Sequence, residues 1–312
     1  MKDFLSAAIC VIVSLVLLSL GTRYVSSVWV FATIHNLQLH LAIASSFALL
    51  VALILRRGVL PAGLLIIALV FLAHAIWMSR EFAGGDATPD SETPTLRLLS
   101  FNILMTNYQG GEAIRDLILS SGADVVNVME AEPLQAHLPA LAKLYPYRIG
   151  CGELTDNCDL MMLSTRPLKG RAIASLSDIF GERMMTATID VDGQELHLAA
   201  IHTTKPYFDS FQAFELRNAA QLLNKLDGPI IVSGDFNASS ISPGMRTFLR
   251  STGLRTAASE PATWPVRARW AGVAIDHVFV RPPLAIKSLE RLPDALGSNH
   301  YGLLAEIAVP RP

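Results

Sequence analysis

Pro229-Ile230-Ile231-Val232 runs directly into Ser233-Gly234-Asp235-Phe236-Asn237. Four apolar residues followed by Gly, Asp and Asn read as a buried strand that carries Asp235 and Asn237 to its end. There, alternate residues point the same way, so a carboxylate and an amide face one ligand. Such a pair suits phosphate ester hydrolysis: the carboxylate orients or deprotonates water, and the amide donates to a phosphoryl oxygen without repelling it. Alone, the run is a common turn, because Gly, Asp and Asn populate turns for backbone reasons. Its weight comes from similar segments elsewhere in the chain.

Leu98-Leu99-Ser100-Phe101-Asn102 reads as a strand ending in Asn, and Asp124-Val125-Val126-Asn127-Val128-Met129-Glu130 as a buried strand ending in Glu. Leu198-Ala199-Ala200-Ile201-His202 ends in His. After the Asp235 strand come Ala274-Ile275-Asp276-His277-Val278-Phe279-Val280 and Ser298-Asn299-His300. Six apolar strands are thus expected to present a polar residue at one end. Between the His202 and Asp235 strands, Asp209 to Leu226 has helical period. Its expected core stripe is Phe211, Phe214 or Leu216, Leu222, Leu223 and Leu226, with Asp209 as cap. Glu112 to Ser120 is a second helix before the Glu130 strand, so helices and strands alternate around two sheets.

This ordered set resembles the endonuclease/exonuclease/phosphatase superfamily, which includes DNase I-like nucleases, abasic-site endonucleases, inositol polyphosphate phosphatases and neutral sphingomyelinases. The resemblance covers residues 96 to 309. It implies an α/β (α+β) fold, a four-layer sandwich of two packed mixed β-sheets flanked by helices. It also implies that Glu130 holds an essential Mg²⁺ or Mn²⁺, with Asn102 hydrogen-bonding or ligating beside it. His202 would contact the scissile phosphate, Asp235 would orient or activate water, and Asn237 and Asn102 would bind the phosphate. Asp276 would pair with His300 in a dyad that touches the phosphoryl group.

The residue types suit these roles. Carboxylate and amide oxygens are hard ligands for Mg²⁺, and an imidazole is kept cationic and in one tautomer by a neighbouring carboxylate. His277 falls on the other face by the strand period of two and is read as structural; Trp264 in Thr263-Trp264-Pro265 is read as packing. One departure stands out: the closing motif of the family is usually Ser-Asp-His, and here it is Ser298-Asn299-His300. A neutral amide removes a charge that would help hold a cation or raise the His pKa. Asn299 is then a poorer metal donor than an Asp, and a single essential ion is expected.

With 312 residues, 51% hydrophobic content and a mean hydropathy of +0.40, the chain is more apolar than an ordinary soluble protein. The excess lies near the start. Phe4 to Leu20, Leu37 to Leu55 and Val59 to Met78 each lack Asp, Glu, Lys and Arg. Their lengths suit a bilayer core about 30 Å thick at ~1.5 Å per residue. They are read as three transmembrane helices, with a cleaved signal peptide for the first segment and buried core helices as the alternatives. Lys2, Arg56 and Arg57 lie on one side against Arg23 and Arg80 on the other, which places the C-terminal domain on the periplasmic or extracellular side of the cytoplasmic (inner) membrane. Cys151 and Cys158 are spaced to close a disulfide in an oxidising compartment, with free thiols as the alternative.

The expected organisation is a membrane anchor over 1–78, a flexible polar linker over 79–95 and a catalytic domain over 96–312. Residues 95–312 contain 20 Lys and Arg against 22 Asp and Glu, a net of −2 with no basic block, so the positive footprint of most duplex-binding domains is missing from the tally. The expected function is a membrane-anchored, divalent-metal-dependent phosphoesterase, a phosphodiesterase or nuclease. The alternatives are a hydrolase of extracytoplasmic phospholipid or another small phosphodiester, and a non-catalytic tethered binding module. The expected partners are a phosphodiester (nucleic acid or lipid headgroup) and the bilayer, with no obligate protein partner.

Overall fold

In the computed structural model, which describes residues 1–84 and 93–310, the apolar N-terminal segments are helical. They form α1 (Lys2–Gly21), α2 (Ala32–Asn36), α3 (Gln38–Leu55) and α4 (Val59–Glu81). α1, α3 and α4 are long and apolar enough to cross a membrane. Phe4, Val11, Leu18, Phe47, Ile54 and Val70 face outward from them. Leaving such surface in water costs about 25 cal/mol per Å², a cost that lipid removes. Arg56 Nε lies 3.6 Å from Asp3 Oδ1, so the start of α1 and the end of α3 share one side, as an up-and-down path requires.

These helices form a compact unit with Pro206–Ser210 and Ser240–Arg246, while Phe82–Lys205, Phe211–Ser239 and Thr247–Pro312 form a second unit. Two loops of the expected contiguous segment 96–312 therefore group with the helices. Within the first unit, Arg23 Nη2 donates to Ile241 O at 2.8 Å and Arg246 pairs with Glu81. Residues 85–92 of the expected linker lie outside the described residues. On either side of them, Gly84 N donates to Thr256 O (2.8 Å) and Val309 N to Pro94 O (2.9 Å).

The second unit contains β1 (Thr95–Asn102), α5 (Gly111–Ser120), β2 (Val125–Met129), α6 (Leu138–Leu141), β3 (Tyr147–Ile149), β4 (Leu160–Ser164), β5 (Lys169–Ala174), β6 (Met184–Val191) and β7 (Gln194–His202). It continues with α7 (Phe211–Leu223), β8 (Ile230–Asp235), α8 (Pro243–Thr252) from Thr247 onward, β9 (Asp276–Val280), β10 (Ala285–Arg291) and β11 (Leu303–Ala308). One sheet has the order β10-β11-β1-β2-β4-β3 and the other β5-β6-β7-β8-β9. Each is mixed: β1 runs parallel to β2 and β7 to β8, and the remaining pairs are antiparallel.

The strand period of two builds the layers. Leu96 and Leu98 of β1 join Leu198, Ile231 and Val278 in the core between the sheets, while Leu99 and Phe101 turn to Ile114 and Ile118 of α5. On the outer face of the other sheet, Phe248 of α8 packs against Phe236 and Phe279. Two packed mixed sheets flanked by helices are thus the architecture expected. α7 departs from its expected stripe: Gln212, Glu215, Leu216, Ala219, Ala220 and Leu223 are buried, whereas Phe211 and Phe214 are exposed. Two polar residues displace the aromatics because they have partners inside. Gln212 Nε2 donates to Phe236 O (2.6 Å), and Glu215 accepts from Ser177 Oγ (2.6 Å) and Thr204 N (2.7 Å). Buried polar groups are tolerated when so satisfied.

Candidate active site

Parallel pairing sends the C-terminal ends of β1, β2, β7 and β8 to one rim, and antiparallel β9 starts there. Register then sets His202 opposite Asp235, and Asp235 opposite Asp276, in one row across three adjacent strands. Gly234 permits the close approach of β8 to β7: it has φ +147°, and a Cβ there would lie 1.8 Å from Ile201 O. Glu130 and Asn237, just past their strands, both adopt left-handed backbone, with φ +56° and +49°. Such conformations cost non-glycine residues roughly 1–3 kcal/mol and persist where surrounding structure holds them.

Asn102 joins the two sheets. Its Nδ2 donates to Asp235 Oδ2 (2.9 Å) and Glu130 Oε1 (3.2 Å), and its Oδ1 accepts from Leu104 N (3.1 Å). Met105 N donates to Glu130 Oε2 (2.7 Å), and Asn237 N to Asp235 Oδ1 (2.8 Å). The Asn237 side chain donates to Thr203 O (2.9 Å). Two imidazoles flank Asp235, each tied through Nδ1 to another carboxylate: His300 to Asp276 Oδ2 (2.9 Å) and His202 to Asp159 Oδ2 (2.9 Å). Their Nε2 atoms lie 3.8 and 3.9 Å from Asp235 Oδ2, too far for a hydrogen bond, which leaves both outer edges available to a ligand.

Burial opposes charge on His300, but Asp276 and Asp235 outweigh it and its pKa is pushed up to about 9. His202 is likewise raised: burial disfavours the cation, and the charge and hydrogen bond of Asp159 more than offset it. Burial pushes the Asp159 carboxyl up, yet His202 and Arg183 together hold it below the usual range. Burial raises Asp235, and Asp276 raises it further against the opposing pull of His300 and His202, which makes it a more basic carboxylate.

A hard divalent cation fits the donors present. Glu130 offers a partly exposed carboxylate that Asn102 and Met105 hold in place. Asp235 and Asp276 each bring a carboxylate oxygen to within 4.8 Å of the other, beside the His300 imidazole, and the buried Asp276 Oδ1 has no hydrogen-bond partner.

The structure brings Asn102, Glu130, His202, Asp235, Asn237, Asp276 and His300 to this rim. His300 does not end a strand as expected. It lies in the loop before β11, where its N donates to Ser298 Oγ (3.1 Å), which itself donates to Asn102 O (2.7 Å). Asn299 is exposed between buried Ser298 and His300. His277 is fully buried and bonds Glu260 Oε1 through Nδ1 (2.6 Å) and Ala238 O through Nε2 (2.8 Å), apart from the Asp276–His300 pair.

Sequence reasoning passed over Asp159 and Arg183. Arg183 places Nη2 3.0 Å from Asp159 Oδ1 and Nε 3.0 Å from Oδ2. Asp159 stands immediately before the apolar strand Leu160–Ser164, just as Asp276 opens its own strand, and that parallel was the available signal. Glu132 is a further carboxylate near the site, raised by burial and by Asp159 and Glu130, with a buried Oε2 that has no hydrogen-bond partner.

A family model described as Endonuclease/Exonuclease/phosphatase family matches residues 99–300. Among solved structures, the chain is similar to a humanized TDP2 of D. rerio at 17% identity and TM-score 0.56, covering 69% of this chain and 99% of that one. The catalytic domain of human Nocturnin with bound sulfate gives 19% identity and TM-score 0.56 over 69% of this chain and 95% of that one. Sphingomyelinase C from Streptomyces griseocarneus gives 17% identity and TM-score 0.51 over 69% and 99%. No curated protein sequence matches the chain. At these identities the likeness to solved structures is one of fold.

Proposed function

Because the chain belongs to the endonuclease/exonuclease/phosphatase family, we propose that it is a membrane-anchored, divalent-metal-dependent phosphodiesterase whose hydrolytic site faces the periplasmic or extracellular side. The observation that carries this reading is the convergence of His202 and His300 on Asp235, each imidazole tied at Nδ1 to its own carboxylate. Two cationic N–H donors beside a basic carboxylate match the needs of a phosphodiester: stabilisation of its non-bridging oxygens and activation of water.

Asp235 takes the proton of a water that attacks phosphorus in line as the bond to the leaving oxygen breaks. His202 and His300 donate through Nε2 to the developing charge on the phosphoryl oxygens. Asn237, with one side-chain hydrogen committed to Thr203 O, has the other available to the same group. Asn102 turns its amide hydrogens to Glu130 and Asp235, which makes it an orienting residue beside the ion site. When bound, Mg²⁺ or Mn²⁺ supplies neutralisation of the phosphate and a lowered pKa for water. Glu130 would hold it, with Asp276 Oδ1 as a further free oxygen.

The anchor reading draws support from the apolar outward faces of α1, α3 and α4, and the orientation from the bias of Lys2, Arg56 and Arg57 and from the Cys151–Cys158 disulfide. One observation favours a lipid headgroup diester over nucleic acid. Beside the site, Met105, whose N–H holds the Glu130 carboxylate, and Phe180 are exposed, on a unit without a basic block. Phe180 lies under Arg183, 4.0 Å from its guanidinium. Such a rim suits an amphiphilic surface.

The test is hydrolysis of bis(p-nitrophenyl) phosphate by the detergent-solubilised full chain with Mg²⁺ or Mn²⁺, with Glu130→Ala and Asp235→Asn as controls. Turnover that chelator and both substitutions abolish is expected; its absence with either ion leaves a tethered binding module. Headgroup release from phospholipid vesicles, set against nicking of plasmid DNA at low salt, then decides the substrate class.

A further inference from the structure

The chain from Gly150 to Asp159 links β3 to β4 and is closed by a disulfide between Cys151 and Cys158. It is tightly curled, with φ +93° at Gly150, +50° at Cys151, +93° at Gly152 and +66° at Leu154. Backbone bonds tie it to itself: Gly150 N to Glu153 O (2.8 Å), Gly152 N to Thr155 O (2.8 Å) and Cys151 N to Asn157 O (2.9 Å). Both cysteines are buried in the core beneath the α5 face.

The far end of this loop meets the site twice. The ladder between β2 and β4 ends at Met129 opposite Leu160. One step further, Glu130 N donates to Asp159 O and Ala131 N to Cys158 O (2.9 Å). Those two bonds hold the left-handed turn from which the Glu130 carboxylate projects. The side chain of Asp159 points the other way, to His202 Nδ1 and to Arg183. Asn157 steadies the same corner: its Oδ1 accepts from Asp159 N (2.9 Å) and its Nδ2 reaches Gly181 O (3.4 Å) in the loop before Arg183.

We infer that the Cys151–Cys158 disulfide positions the site: by fixing the backbone at Cys158 and Asp159, it sets the Glu130 carboxylate and the Asp159–His202 pair together. This rests on the proposed reading of Glu130 and His202 as parts of one hydrolytic site. The crosslinked segment is short, so its entropic stabilisation of the whole fold is at the small end for a disulfide. Its mechanical effect is local, because Cys151 lies two residues beyond Ile149 of β3, which pairs with Met162 of β4. The crosslink therefore closes the hairpin where its ladder has ended. Without it, the corner that Glu130 leans on is restrained by hydrogen bonds and ion pairs alone, those within the loop and those from Asn157 and Asp159 to Gly181, Arg183 and His202. Cys151 and Cys158 are positioning residues, acting through Glu130 and Asp159.

Hydrogen–deuterium exchange and kinetics on the full chain in detergent test this. The oxidised protein is compared with the Cys151→Ala/Cys158→Ala double variant and with wild type reduced by a dithiol, which delivers two electrons and two protons to the S–S bond and itself becomes a disulfide. The Glu130 and Ala131 amides are expected to exchange at least tenfold faster in both altered forms, with amides of β1 and β8 unchanged. The kcat for bis(p-nitrophenyl) phosphate is expected to fall at least tenfold, with KM within twofold, and reoxidation should restore both. Unchanged exchange at Glu130 and Ala131 overturns the inference, as does faster exchange throughout β1 and β8, which would make the disulfide a general staple. If the oxidised protein hydrolyses nothing, the proposed function fails while the exchange comparison still decides the positioning.

Discussion

Asp159→Asn is the most informative single substitution, because it preserves shape while removing the charge that raises the His202 pKa. Asp159 Oδ2 lies 2.9 Å from His202 Nδ1. Unit charges about 4 Å apart at an effective dielectric of ~20 interact by ~4 kcal/mol, an upper bound on what the carboxylate contributes. The amide oxygen still accepts from Nδ1, so the loss should lie nearer the ~2.7 kcal/mol typical of one mispositioned transition-state donor, or about 10²-fold in kcat. KM should change by less than about threefold, since the loss falls on charge that develops in the transition state. The pH dependence has a definite sign. In the wild type the His202 pKa is raised above its ordinary value, so the cation persists until pH climbs through that raised value. In the variant, burial and Arg183 act without opposition from Asp159, and the alkaline limb of kcat/KM should move to lower pH. Steady-state kinetics on a chromogenic diester from pH 5 to 10 reads both effects, with a thermal melt to confirm folding. A variant with kcat within twofold of wild type and an unmoved alkaline limb would refute the role assigned to the Asp159–His202 pair.

Glu130→Gln should lower turnover by about 10³-fold and remove the response to Mg²⁺ while leaving the melting temperature within a few degrees, as judged by metal-titrated kinetics and a melt. Combining Asp159→Asn with Asp276→Asn should cost less than the product of the single losses, because both imidazoles serve the same Asp235 oxygen; a strictly multiplicative loss would show that they act independently. His300 has a folded pKa of about 9 against an unfolded value of 6.5, so its ion pairing stabilises fully below pH 6.5 and is lost as pH rises through 9; melts in chelator should decline over that window. Glu215→Ala leaves Thr204 N and Ser177 Oγ without their buried acceptor and should destabilise by roughly 2–3 kcal/mol, with Glu215→Gln milder, as measured by denaturant unfolding.

Short-range order decided much of this protein. Short β-branched runs such as Ile230–Val232 and Val125–Met129, bounded by turn residues, read as buried strands, and a polar residue at the end of each then emerges at a sheet rim. Three charge-free N-terminal segments of bilayer length set those helices apart without reference to any contact. The order of Asn102, Glu130, His202, Asp235, Asp276 and His300 along the chain carried the family resemblance, and with it the two mixed sheets. What lay beyond the sequence were matters of pairing at a distance. Asp159 and His202 stand 43 residues apart, and nothing in the spacing of either shows that β4 and β7 bring them to 2.9 Å. Nor does helical period reveal that Gln212 and Glu215 turn inward while Phe214 turns out, because that choice depends on the Phe236 carbonyl and the Thr204 N–H, whose positions are set only once the strands are in place. Periodicity is a property of neighbouring residues and can be read along a chain. The match of a buried charge to its partner depends on where two unrelated segments end, and only the assembled fold determines that.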